Sequence, residues 1–381
     1  MKNSRERRLS AIKIERVVSK KDFKTFLLFP WKVYRGDPNW VPPLLADVKE
    51  KLDRQRNPFF EHAEMALFLA HREGKCTGRI AAIVDKNHND FHQEKVVFFG
   101  MYESLDDPDT ACALLNEAAR WGRERGMNVL RGPMNLSMNE ECAFLLEGFD
   151  SPPAIMMPYN PRYYPTLMEG CGLAKAKDLF AFIMNRDHRT ADKVEAVVQK
   201  IRQETKFNLR SIDLKNIKEE AKKIKEVYNR GWEKNWGFVP WTEPEMEHMT
   251  KKLKQLADPQ LIILAERQGK PVGFAFGLPN YNEVLIRMNG RLTPFGLLTF
   301  LRYRRRIKSM RALVFGLVKE YHNSGLSYLL YSELEKNARA RGYQWGELSW
   351  QLEDNDAVNK FAFSIGAKIY KKYRIYERPV A

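Results

Sequence analysis

The chain has 381 residues, 44% of them hydrophobic, enough for two globular units with their own cores. Its formal net charge of +16 favours anionic partners, whether coenzyme phosphates, acidic lipid headgroups or nucleic acid. No apolar run is long enough to cross a membrane, the charged start lacks a signal-peptide core, and Cys76, Cys112, Cys142 and Cys171 follow neither zinc-ligand spacing nor a disulfide framework, so a reducing, cytoplasmic setting without metal is expected.

In chain order, a strand is predicted at 12–17, and Phe23, Phe26 and Phe29 give the apolar face of a helix over 20–33. Two alternating segments, 65–71 and 78–85, flank Glu73-Gly74-Lys75 as a hairpin. A strand at 96–102 leads to a helix over 110–126, with Pro108 and Asp109 at capping distance and Gly126 as its stop. A short strand at 129–131 follows. From Arg131 to Tyr164 the chain is crowded with loop formers, Met and polar side chains, which fits a binding region or an irregular structural crossover equally well. The binding reading makes Asn135, Asn139, Glu140, Tyr159, Asn160 and Tyr163 the walls of an acceptor or acyl-chain pocket.

A helical pattern over 191–204 reads as the connection to the second half. There, a strand at 207–214, a helix over 217–232 and a hairpin of 261–266 with 272–278 repeat the earlier order. Trp232, Trp236 and Trp241 either cover a groove or fill a core, and core filling is the commoner use. From Pro294 an apolar helix runs into Arg304-Arg305-Arg306; it either lies in a membrane interface or packs on the sheet with solvated arginines, and packing is favoured. A strand at 313–318 then enters a polar turn with Gly325 and opens into a helix striped by Leu326, Leu329, Leu330 and Leu334. Such a junction leaves N–H groups aimed outward at the positive end of a helix dipole, a pocket for phosphate. The corresponding turn of the first half carries Glu103, Asp106, Asp107 and Asp109, which would repel phosphate.

The spacing His322-x-x-Gly325-x-Ser327 resembles the pyrophosphate loop of the GCN5-related N-acetyltransferases, Gln/Arg-x-x-Gly-x-Gly/Ala, with His322 and Ser327 as departures. After a strand at 345–350, Asn355, Val358 and Gly366 keep that family's frame, and Ala362 stands where it commonly has the tyrosine that protonates the leaving thiolate. The runs 29–43 and 130–141 look like a bacterial family of paired acetyltransferase-like proteins, some of which resemble bacterial ceramide synthases. The resemblance implies an α/β fold on a mixed sheet: a unit at 11–186 with a degenerate phosphate loop, a helical linker at 187–206, and a unit at 207–381 with the coenzyme loop.

It also implies an acyl-CoA-dependent N-acyltransferase acting on an amine, including a long-chain or lipid amine. Leu317, Val318, His322, Asn323, Ser324, Gly325, Leu326, Ser327 and Asn355 would hold acyl-CoA. Glu320 is the first choice of base, Glu353 or Glu347 acting through water the second, and Tyr376 or Tyr373 would protonate the thiolate. Acyl-CoA and an amine are the expected partners, with peripheral contact to an anionic membrane on its inner face as a further option; nucleic acid and metal are not expected. Two alternatives stay open: a non-catalytic membrane- or ligand-binding protein on a decayed acetyltransferase fold, and an aminoacyl-tRNA-dependent transferase.

Overall fold

Each half of the chain contains a hairpin whose tight turn has the same form. Glu73 and Gly74 (φ +52° and +71°), and Gln268 and Gly269 (φ +51° and +76°), both place two successive residues in the left-handed region. That backbone matches the right-handed twist of the flanking strands. In this computed structural model, which describes residues 11–185, 192–204 and 206–380, the described strands are β1 (Lys13–Arg16), β2 (Ala63–Arg72), β3 (Lys75–Asp85), β4 (Val96–Ser104), β5 (Val129–Gly132), β6 (Phe144–Glu147), β7 (Ala174–Asn185), β8 (Asn208–Ser211), β9 (Ile262–Arg267), β10 (Lys270–Pro279), β11 (Ser309–Leu317), β12 (Trp345–Leu352) and β13 (Lys368–Pro379).

These strands make one mixed sheet in the order β1-β2-β3-β4-β5-β13-β7-β12-β11-β10-β9-β8, with β6 pairing β13 off that path. The halves mirror one another. β4 runs parallel to β5 from Val96↔Val129, and β11 parallel to β12 from Ser309↔Trp345. Parallel neighbours need a crossover; the helices Pro108–Arg123 and Leu326–Ala340 supply the two. The final strands are exchanged: β13, at the end of the chain, lies between β5 and β7, while β7 pairs with β12 of the second half.

Buried side chains on both faces form the cores. Phe99, Leu114, Leu115 and Tyr164 belong to the first half, and Leu264, Phe274, Leu329 and Leu330 to the second. The connecting helix Asp192–Glu204 does more than link, because Val198 and Ile201 are buried in the second core.

Two expectations are corrected. Cys112 and Cys171 form a disulfide that ties the helix Pro108–Arg123 to the end of the helix Tyr164–Gly170, a pairing that sequence spacing does not announce. The apolar side of the helix Pro294–Tyr303 does not pack on the sheet: Phe295 is 82% exposed and Leu298 65%. Phe300 of this helix stacks on Tyr281. Among the described residues no helix is long and apolar enough to cross a membrane.

Candidate active site

Pairing between β11 and β12 ends at Ala312↔Leu348, and the strands part. Leu313–Leu317 becomes one wall of the opening and Ser349–Leu352 the other. β11 also bulges: Val314 faces Phe276 and Ala312 faces Gly277, so Leu313 lacks a ladder partner on β10. An unpaired residue of this kind can aim a backbone N–H into the opening.

Helix Ile217–Trp232 forms part of the roof and comes close because of a glycine; a Cβ on Gly231 would lie 2.5 Å from the Leu317 carbonyl oxygen. Helix Glu243–Leu256 and the Trp236–Trp241 loop complete the roof. Together they enclose a cleft of about 630 Å³. Its inner walls are largely apolar, with Ile224, Trp241, Met246, Met249, Phe274 and Phe276 among them. Trp232, Trp236 and Trp241, for which core filling is the commoner use, all line this cleft.

At the outer end stands the polar turn. Gly325 has φ +75° and caps the helix Leu326–Ala340, its carbonyl accepting from Tyr328 N–H at 2.9 Å. Among the described residues, the backbone N–H groups of Asn323, Gly325 and Ser327 have no hydrogen-bond partner. Asn323 and Ser327 line the cleft. Free amides beside a helix N-terminus can receive an anion. His322 Nε2 lies 3.2 Å from the Leu317 carbonyl oxygen and also faces the cleft. Gly325 is backed by Ile201, whose Cδ1 a Cβ would approach to 2.1 Å.

The first half lacks the equivalent space. β4 and β5 separate after Phe98↔Arg131, but Met134 N–H donates to Phe99 O at 2.8 Å and Met101 N–H to Asn135 Oδ1 at 2.8 Å. Gly100 is packed so tightly that a Cβ would fall 1.8 Å from Met134 O. Of its acidic residues Asp106 and Asp109 are exposed and Glu103 is turned inward: burial pushes the Glu103 carboxyl up, while Arg79 pulls it down and Tyr164 donates to it at 2.7 Å.

The loop that closes the first opening reaches into the second. Asn139 and Glu140 line the cleft; Asn139 accepts from Tyr228 at 3.0 Å, and Glu140 pairs with Lys51 at 2.8 Å. Other residues named for the pocket hold structure. Asn160 accepts from Leu145 N–H at 2.6 Å, Tyr163 donates to Ser104 O at 2.8 Å, and Tyr159 donates to Asp37 at 3.0 Å.

Of the residues named for the coenzyme, Leu317, His322, Asn323, Ser327 and Asn355 line the cleft. Asn355 also caps the helix Asp356–Ser364. Val318 and Leu326 are buried, and Ser324 braces the turn by donating to Tyr321 O at 2.8 Å. Of the named catalytic groups, Glu347 and Tyr373 lie close together, whereas Glu320, Glu353 and Tyr376 do not join them. Glu320 is exposed and paired with Arg230 at 2.8 Å, Glu353 with Lys175 at 2.6 Å, and Tyr376 is buried against Glu169 at 3.2 Å among first-half residues. Ala362 is buried in the second core, so no side chain there reaches the thiolate position.

The polar groups that do converge sit where the strands divide. Glu347 is fully buried, accepting from Ser349 Oγ and Tyr370 Oη, with Arg311 Nε 3.6 Å from its Oε1. Arg311 also donates to Ser349 Oγ at 2.9 Å and Ile155 O at 2.7 Å. Burial pushes the Arg311 guanidinium down and Glu347 opposes it; burial and Glu347 both push the Tyr370 phenol up. Arg311 and Ser349 open onto the cleft. Tyr373 is buried nearby with its hydroxyl unpartnered among the described residues. No group of metal-ligating side chains occurs among the described residues.

A strand pair that splays beside a helix-capping turn, twice in one chain, defines the tandem GCN5-related N-acetyltransferase fold. A tandem GNAT protein from the clavulanic acid biosynthesis pathway aligns with 97% of this chain and 99% of its own at TM-score 0.58 and 11% identity. A GCN5-related N-acetyltransferase from Sphaerobacter thermophilus aligns with 97% and 96% at TM-score 0.53 and 12% identity. Likeness at that identity concerns the fold alone. No family model matches the chain. In sequence it is 36% identical over 367 residues to the bacterial ceramide synthase of Caulobacter vibrioides, covering 94% of each. It is 35% identical over 371 residues to Protein YghO of Escherichia coli, covering 95% of this chain and 94% of that one. The chain belongs to the family that these two proteins represent.

Proposed function

We propose that the protein is an acyl-CoA-dependent N-acyltransferase whose acceptor is a long-chain amine. The observation that carries this reading is the continuity of the cleft: one opening joins a turn with free N–H groups to a deep apolar chamber. The coenzyme's diphosphate would rest on Asn323, Gly325 and Ser327, and its pantetheine arm would follow Leu313–Leu317. A chamber of this size and lining suits hydrocarbon better than a small polar acceptor. The name of the Caulobacter relative points to the same chemistry, transfer of an acyl group to a long-chain amino alcohol.

Glu347 is the base in this account. As the amine nitrogen bonds to the thioester carbonyl, its proton passes to Ser349 Oγ while the Ser349 proton passes to Glu347; the C–S bond then breaks and the thiolate takes that proton back from Glu347 by way of Ser349. Leu313, the extra residue of the β11 bulge, is placed to polarise the carbonyl through its backbone N–H. Arg311 and Tyr370 hold the Glu347 carboxylate in place.

A ligand-binding role without transfer draws on one contact: Trp232 Nε1 donates to Phe315 O at 3.3 Å, on the strand edge that pantetheine would use. The two readings part in a turnover assay. Palmitoyl-CoA with a sphingoid base should release free thiol and form amide, and Glu347→Gln should lower kcat by about 10² or more with little change in KM. Thiol release that is absent, or that Glu347→Gln leaves intact, contradicts the enzyme reading.

A further inference from the structure

The helix Pro294–Tyr303 presents Phe295, Leu297, Leu298 and Leu301 to solvent, and Leu292 just before it is 60% exposed. A monomer seldom leaves so contiguous an apolar patch open without a partner. Around it lie Arg287, Arg291, Arg302, Arg304, Arg305 and Arg306, all exposed, none paired with a carboxylate among the described residues. Arg287, Arg302 and Arg306 gather about the Tyr303 ring at 4.8, 5.9 and 5.6 Å.

We infer that this helix docks the protein on an anionic lipid surface. Apolar side chains with a collar of unneutralised arginines are what a bilayer with acidic headgroups recognises: the chains enter the acyl boundary and the guanidinium groups meet phosphates. Tyr303, ringed by arginine, is the side chain that suits headgroup depth. With only Pro294–Tyr303 in the helix, the element is far shorter than a bilayer crossing requires, so it lies flat.

Its position gives the docking a use. Phe300 stacks on Tyr281 with ring centroids 5.8 Å apart, and the Tyr281 hydroxyl donates to Leu256 O at 3.0 Å. Lys254 and Ala257, on either side of Leu256, line the cleft. A docked protein would therefore set the cleft rim beside the membrane, where a long-chain amine resides. That use rests on the acyltransferase reading; the docking itself does not.

Sedimentation of the full chain with vesicles tests it. Binding is expected to phosphatidylcholine vesicles containing phosphatidylglycerol, to be weak on phosphatidylcholine alone, and to be released by salt. Phe295→Asp with Leu298→Asp should abolish it, and neutralising Arg304, Arg305 and Arg306 to Gln should weaken it about a hundredfold. Because these side chains are exposed, melting temperature and coenzyme A affinity should not change. Absence of wild-type binding to anionic vesicles, or binding unaltered in Phe295→Asp/Leu298→Asp, overturns the inference. So does a dimer in vesicle-free buffer that those substitutions dissociate, which would name a second copy as the occupant. Failure of acyl transfer with vesicle binding intact would strike only the catalytic reading.

Discussion

At Ser327 one electrostatic field has two separable effects. The residue is in the first turn of the helix Leu326–Ala340 and faces the cleft. A carboxylate in that turn interacts favourably with the helix dipole, by about 0.3–1 kcal/mol, yet occupies and charges the place of a phosphate. Ser327→Asp should leave the melting temperature unchanged or slightly raised while coenzyme A affinity falls at least about tenfold. Glu347 presents the opposite case. Glu347→Ala would leave Arg311 buried beside an empty place and should cost about 3–5 kcal/mol in urea unfolding, whereas Glu347→Gln keeps the volume and loses less. The turn was legible because its chemistry is local: glycine at positive φ, small neighbours, a leucine stripe. The proposed base was legible only as a second choice, since proximity along the chain favours Glu320, and only the fold shows that Glu320 faces Arg230 while Glu347 is sealed under the cleft floor.

Among elements, the roof helix Glu243–Leu256 shows what sequence reading can miss. Its start carries a legible signal, Thr242 and Glu245 at capping-box spacing, and the two side chains do exchange bonds with each other's backbone N–H at 3.3 and 3.0 Å. The same Glu245 lies 3.3 Å from His62 Nε2, while His62 Nδ1 lies 3.0 Å from Asp85, fastening the roof to the first half. Burial pushes the His62 imidazolium down, but Asp85 and Glu245 outweigh it and raise it to about 9, against an ordinary 6.5. The folded state therefore holds that proton more tightly than the unfolded chain. Its contribution to stability is complete below pH 6.5 and is lost as pH rises toward 9. Lys371 acts with the opposite sign, since burial pushes its amine down to about 8 from 10.5, so stability from that residue grows as pH rises from about 8 toward 10.5. The informative quantity is the difference between wild type and His62→Gln: wild type should lose more stability than the variant in urea titrations between pH 6.5 and 9. Equal losses would mean that the roof is not held by this ion pair.

Across the whole molecule, the exchanged strands govern how the halves depend on one another. β13 fills the gap between β5 and β7, with Arg374 bonded to Asp178 at 2.7 and 2.9 Å along the seam. A fragment ending at residue 186 would lack β13 and leave both neighbours with bare edges. Such a fragment should be soluble only as aggregate or unfolded chain by circular dichroism and proteolysis, and the full chain should melt in one cooperative transition. A stable, monomeric fragment would contradict the account. The repeated order of elements was legible from periodicity and turn residues. The exchange was not, because no local pattern tells β13 which of two open sheets to enter. The cleft itself is a product of both halves, since Asn139 and Glu140 from the first complete the wall of the second.

The central claim is that backbone amides at Gly325 and Ser327 hold the diphosphate of an acyl thioester while its chain enters the apolar chamber. Calorimetric titration of the full chain with coenzyme A and with palmitoyl-CoA tests this directly. The account predicts saturable binding of both, tighter for palmitoyl-CoA, and weakening of both by Ser327→Asp in a protein that remains folded. No binding of either compound by the wild type, or equal binding by Ser327→Asp, would contradict it.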